Sequence, residues 1–134
     1  MSRYTPPNAG EGRSLVQTRA PKALRNYLRA YARHHALTME ALFEEIAEHF
    51  LTLRPDQHGL TWRKPKTHRK STPGLDTWAQ INLLLADEKA GKLAGLAKHI
   101  GISRSAVAYT ALYWFARYLR PAVDLPTPSG AHRD

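Results

Sequence analysis

Slid along itself until Pro21 falls on Ala86, the chain matches its own second half, and that offset constrains the possible folds more than any other feature. At the same shift Thr38 falls on Ser103, so the spacing from strand end to second-helix cap is identical in the two halves. Leu28 falls on Leu93, Ala32 on Ala97, His34 on His99, Leu37 on Ile102, Leu42 on Val107 and Phe50 on Phe115. These are mostly apolar positions and caps, through which a shared fold specifies itself. A unit of about 40 residues is too small to bury a core alone. Two such units on one chain must complete one another.

Within the first unit, "RSLVQTRAP" (Arg13–Pro21) is β-favouring and runs into a proline suited to the first turn of a helix. Over residues 22–35, Leu24, Leu28, Tyr31 and Ala32 form a helical stripe, with Arg25, Arg29 and Arg33 on the wetter side. Thr38 then caps a second helix with Leu42, Ile46, Phe50 and Leu53 on its apolar face. The second unit repeats the order: a strand at 78–85, a helix at about 87–99, then Ser103 capping an amphipathic helix with Val107, Ala111, Leu112, Phe115 and Leu119 inward. The expected division is a flexible arm (1–12), a first repeat (13–53), a basic linker (54–77), a second repeat (78–120) and a Pro-rich tail (121–134). The expected fold class is mainly α with a two-stranded antiparallel β-ribbon. Gly91 and Gly95, inside the third helix, each cost helix stability and are read as sites of close helix packing in preference to the mark of a less stable half.

With 20 Lys and Arg against 11 Asp and Glu, the chain carries a formal charge of +9. Such an excess points to an anionic partner, nucleic acid first. There is no cysteine, which excludes disulfides and thiolate metal sites. The N-terminal stretch has no apolar signal core, and no run suits a membrane span, so a cytoplasmic protein with no membrane partner is expected. His34 with His35, and Glu45 with His49, lack both a third ligand and the HExxH pattern, so no metal is expected. Neither a Gly-rich phosphate loop, a nucleophile elbow nor a pair of catalytic carboxylates is present. An enzyme is not expected, and no cofactor is implied.

The run "INLLLADEKAGKLAGLAKHIGISRSAVAYTAL", with its Gly-Ile-Ser-Arg-Ser turn, resembles the ribbon-helix-helix family of Arc- and MetJ-type DNA binders. So does "VQTRAPKALRNYLRAYARHHALTMEAL" in the first half. Together the two resemblances cover about residues 13–119. They imply two ribbon-helix-helix repeats on one chain, forming an intramolecular pseudo-dimer that is a monomer in solution, with further association on DNA as an option. They also imply double-stranded DNA as the partner, with the ribbon in the major groove and the second helix of each repeat aimed at a phosphate. Tandem proteins of this kind are accessory factors in plasmid conjugation and T-DNA border processing, so a relaxase or other transfer protein is a further partner implied. Two positions depart from the family pattern: Leu84 stands where a polar residue is usual, and Ala86 where proline is.

Strand alternation assigns the reading face. Val16, Thr18, Ala20, Ile81, Leu83 and Leu85 are expected inward. Leu15, Gln17, Arg19, Gln80, Asn82 and Leu84 are expected to face bases, with Gln17 opposite Asn82, Arg19 near Gln80 and Leu15 near Leu84. Arginine can fork to guanine, Gln and Asn can pair with adenine, and leucines can touch thymine methyls. A register slip of one residue would instead put Leu15 or Leu84 in the core. Expected phosphate contacts are Thr38, Met39, Ser103 and Arg104 at the helix mouths, and Lys64, Lys66, Arg69 and Lys70 in the linker. Glu40, Glu44, Glu45 and Glu48 make the second helix acidic, a face expected to look away from DNA toward solvent or a protein. Two other binding functions fit the same composition: a transcriptional repressor or antitoxin-like regulator, and an RNA binder using the basic linker with Trp62 as a stacking surface.

Overall fold

A computed structural model describes residues 12–66 and 77–121. Arg69 and Lys70, nearly all of the N-terminal arm and all but the first residue of the tail lie outside the described residues. Strand β1 (Arg13–Pro21) leads directly into α1 (Lys22–His34), followed by α2 (Met39–Leu53) and a 3-10 turn, Pro55–His58. Strand β2 (Trp78–Ala86), α3 (Asp87–Ile100) and α4 (Arg104–Trp114) repeat that order, and α4 continues as a π-helical turn, Phe115–Leu119. The shift that lays Pro21 on Ala86 also superimposes both strands and the starts of all four helices along the chain.

β1 and β2 pair antiparallel along their whole length, with Gln17 opposite Asn82, Arg19 opposite Gln80 and Leu15 opposite Leu84. Alternation does the rest: Val16, Thr18, Ala20, Ile81, Leu83 and Leu85 are buried beneath the ribbon. The slipped register is excluded, because Leu15 is 53% exposed. Leu28, Leu42, Ile46, Phe50, Leu93, Val107, Leu112 and Phe115 complete a single core under that face. Leu53, expected inward, lies 49% exposed at the end of α2, whereas Phe43 and Ala47 are buried.

Local chemistry at equivalent positions is alike in outline and unlike in detail. Thr38 Oγ1 accepts from the Ala41 N–H (3.0 Å), and Ser103 Oγ accepts from the Ala106 N–H (3.0 Å). The helix–helix turns close through Leu37 N–H to Ala32 O (2.7 Å) and Ile102 N–H to Ala97 O (3.0 Å). The left-handed residue of that turn is Gly101 (φ 90°) in the second unit and Ala36 (φ 56°) in the first. At the strand ends, Pro21 (φ −56°, ψ 144°) and Ala86 (φ −57°, ψ 144°) share one conformation. Proline has no N–H to satisfy; alanine has one, and the Glu44 carboxylate accepts it at 2.5 Å. Glu44 also pairs with Lys89 (3.4 Å), which reaches Glu48 as well (3.4 Å). Burial works against the Lys89 ammonium, but the two carboxylates outweigh it and hold its pKa above the ordinary value. Glu40 pairs with Arg13 at the start of the ribbon. The acidic face of α2 is thus partly internal. Glu40 serves β1 and Glu44 serves the end of β2 and α3, which corrects the expectation that they look outward.

The linker and α4 also differ from expectation. α4 is buried nearly all round, from Ala106 to Leu112 and again at Trp114 and Phe115. A helix apolar on every side needs cover on every side. Residues 60–66 supply it: Leu60 and Trp62 pack on the core, and the Trp62 ring meets Phe50 edge-on at 5.9 Å. Buried Thr110 accepts from the Arg63 N–H (2.9 Å) and donates to the Arg63 carbonyl (3.3 Å). The Arg63 guanidinium lies 3.9 Å above the Tyr113 ring. The segment begins at Arg54, whose left-handed backbone (φ 45°) turns the chain and whose guanidinium forks onto Asp56 (2.8 and 2.7 Å). That hydrogen-bonded arginine, against some opposing burial, holds the Asp56 carboxyl below its usual pKa. Gly91 and Gly95 do not serve helix packing: a Cβ at either would meet nothing within 4 Å.

Candidate nucleic-acid interface

The outer face of the ribbon carries Leu15, Gln17, Arg19, Gln80, Asn82 and Leu84, as alternation predicts. Gln17, Gln80 and Asn82 are exposed, Arg19 and Leu84 half-buried, and none of the six is acidic. At the centre, Gln17 Nε2 donates to Asn82 Oδ1 (3.2 Å) and Gln80 Nε2 donates to the same oxygen (3.1 Å). That oxygen is occupied, so reading adenine with Asn82 requires the amide cluster to rearrange. One end of the ribbon is apolar, Leu15 against Leu84, and the other polar, Arg19 against Gln80.

Arg19 is more constrained than its type suggests. Its Nε–H donates to the Lys66 carbonyl (3.1 Å) and its Nη2 to the Trp78 carbonyl (3.3 Å). Exposed Lys64 and Lys66 therefore sit beside the polar end, where Lys66 Nζ lies 5.9 Å from the Trp78 ring centre. With Trp62, Trp78 and Tyr109 they line an open cleft of about 330 Å³. Trp62 is half-buried: its ring meets Phe50 and also lines this cleft.

The two helix mouths are unequal. At α4, Ser103 and Arg104 are exposed, and with Ser105 they border Leu15, Val16 and Gln17 across an open cleft of about 500 Å³. Thr18, buried in β1, donates to the Ser105 carbonyl (2.7 Å) and accepts from the Ser105 hydroxyl (2.9 Å), which fixes this mouth against the ribbon. At α2, Thr38 is exposed but the Met39 side chain packs on the core, leaving only its backbone to offer a donor. The Glu40 carboxylate stands in the first turn there, neutralised by Arg13. Sequence reasoning misses both the Thr18–Ser105 tie and the Arg19 clamp. A polar Thr among inward-facing apolar residues is the one signal for the first, since a buried hydroxyl needs a partner.

Among the described residues, no helix is long and apolar enough to cross a membrane, and no group of three His, Cys, Asp or Glu could hold a metal. No family model matches this chain, and neither a curated protein nor a solved structure does.

Proposed function

We propose that this chain binds double-stranded DNA in a sequence-specific manner. Its two βαα units would act as an intramolecular pseudo-dimer of ribbon-helix-helix type, with the ribbon's outer face in the major groove. One observation carries the reading: a two-stranded ribbon is buried on one face and presents Gln17, Arg19, Gln80 and Asn82 on the other, in a chain of net charge +9. Those side chains are the base-reading types, and a two-stranded ribbon fits the major groove. The α4 mouth, with free backbone donors, the positive helix end and Arg104, suits a backbone phosphate. Lys64 and Lys66 add charge at the polar end, which strengthens all sequences alike.

Because Arg19 and Gln80 lie at one end of the ribbon and Leu15 and Leu84 at the other, two orientations on a palindrome are not equivalent. A non-palindromic element bound in a single orientation follows, with guanine under Arg19 and thymines under the leucines. Such polarity suits an accessory factor that marks direction in DNA transfer, beside a relaxase, better than it suits a symmetric repressor. Selection from a randomised duplex pool at about 0.15 M salt tests the reading. The expected result is one asymmetric motif whose enrichment Arg19→Ala weakens at a single position. A wild-type protein that enriches no duplex motif overturns it.

A further inference from the structure

Arginine's side edge, Nε and Nη2, and its end edge, Nη1 and Nη2, can each fork onto a pair of acceptors. In Arg19 the side edge is taken by two backbone carbonyls, Lys66 at 3.1 Å from Nε and Trp78 at 3.3 Å from Nη2. The end edge makes no further hydrogen bond among the described residues. A free arginine gives up rotamer entropy when it reads a base; an arginine already held by its side edge gives up less. The Trp78 carbonyl belongs to the ribbon itself, since Trp78 is paired with Pro21. The Lys66 carbonyl does not. It is held in place by residues 60–66, which the buried Thr110 hydroxyl anchors at Arg63 and the Trp62 ring anchors at Phe50.

We propose that residues 60–66 are a specificity element: they aim Arg19 through the Lys66 carbonyl, so that its end edge reads one base pair. The inference rests on the ribbon being the DNA-reading face. Lys66 then has two separable roles, its ammonium toward phosphate and its carbonyl toward Arg19. The clamp has no counterpart on the other strand: Leu84, which takes the place of Arg19 when Pro21 is laid on Ala86, is apolar. The aim is one-sided, and it acts at the polar end of the ribbon.

The test pairs duplex selection with NMR of the free protein, using wild type, Arg19→Ala, Lys66→Ala and Thr110→Val. Arg19→Ala identifies the base position that Arg19 reads. Thr110→Val, at a fully buried position, loosens the anchor at Arg63 without altering the protein surface. It is expected to flatten preference at that same position by about fivefold or more while leaving the rest of the motif in place. The Arg19 Nε–H signal, protected from exchange in wild type, is expected to lose protection. Lys66→Ala keeps the carbonyl, and it should weaken all sequences alike without changing the motif. If Thr110→Val does not fold, a two-glycine insertion between Lys64 and Pro65 displaces the Lys66 carbonyl without touching the core. A loosened variant that enriches the wild-type motif unchanged overturns the proposal but leaves DNA binding standing. So does lost preference with the Nε–H still protected. A wild-type protein that enriches no motif overturns the DNA reading itself, and this proposal with it.

Discussion

The Glu44 carboxylate on the Ala86 N–H makes a quantitative prediction about how the two strand ends differ. Pro21 and Ala86 have nearly the same backbone angles, so Ala86→Pro introduces no dihedral strain. Proline at a compatible site stabilises by about 0.4–1 kcal/mol through the unfolded chain. Here it also removes a part-buried charge-assisted hydrogen bond, about 1.5–3 kcal/mol, and sets a ring carbon against a carboxylate that lies 2.5 Å from the nitrogen. The net expectation is a loss of about 1–2 kcal/mol. Glu44→Ala alone should also destabilise, by about 2 kcal/mol, since it strands the Ala86 N–H and gives up the Lys89 pair. Once Glu44 is alanine, Ala86→Pro has nothing left to break and should stabilise. The coupling energy is therefore about 2 kcal/mol, with the proline substitution changing sign between backgrounds. Urea titrations of the four proteins, followed by fluorescence of Trp62, Trp78 and Trp114, measure it. Additivity within about 0.5 kcal/mol would refute the view that Glu44 does for Ala86 what the proline ring makes unnecessary at Pro21.

Gly91→Ala and Gly95→Ala should each raise stability by up to about 1 kcal/mol, because both sites are helical, exposed and open to a Cβ; thermal melts check this. Ala36→Gly should stabilise by about 1 kcal/mol, since φ at Ala36 is 56° where its counterpart is Gly101; the same melts apply. Asp56→Asn should lower stability near neutral pH, where the carboxylate gripped by Arg54 is ionised. Because the folded-state pKa of Asp56 lies below its unfolded value, that contribution is present above about pH 4 and fades as pH falls through the lower, folded value. Urea midpoints of wild type and variant should converge at the acid end of a pH series, and a difference that persists there would contradict the assignment.

Much of the architecture is legible because alternation and capping are local. One proline at the end of β1 fixes the inward set Val16, Thr18 and Ala20, and the internal repeat carries the same parity to Ile81, Leu83 and Leu85. Thr38 and Ser103 announce two helix starts by residue type. What escapes is non-local. The 54–77 stretch has no period of its own, so nothing in it reveals that Leu60, Trp62 and Arg63 cover α4. The clue lies in the covered helix. Thr110, Tyr113 and Trp114 stand where the repeat puts Glu45, Glu48 and His49 in α2, and α4 has too few charges for an exposed side. Glu44 misleads for a related reason: an acidic helix face looks solvated until a distant strand end brings an unsatisfied N–H to it. Close packing at Gly91 and Gly95 fails because a glycine allows close approach only where a neighbour takes the space.

Both strands of the ribbon belong to one polypeptide, and this bears on how the protein behaves when it is scarce. Where a ribbon is assembled from two separate chains, dilution dissolves it, and occupancy of a DNA site falls with the square of the concentration. A ribbon closed within one chain has no such threshold. Its melting temperature should not move with dilution, and, under the proposed DNA binding, occupancy of a site far below saturation should rise in simple proportion to protein concentration. The unlike strands add a second effect. With Gln17 facing Asn82 and Arg19 facing Gln80, each strand finds its complement next door on its own chain, and the exchange of strands between molecules gains nothing at low concentration.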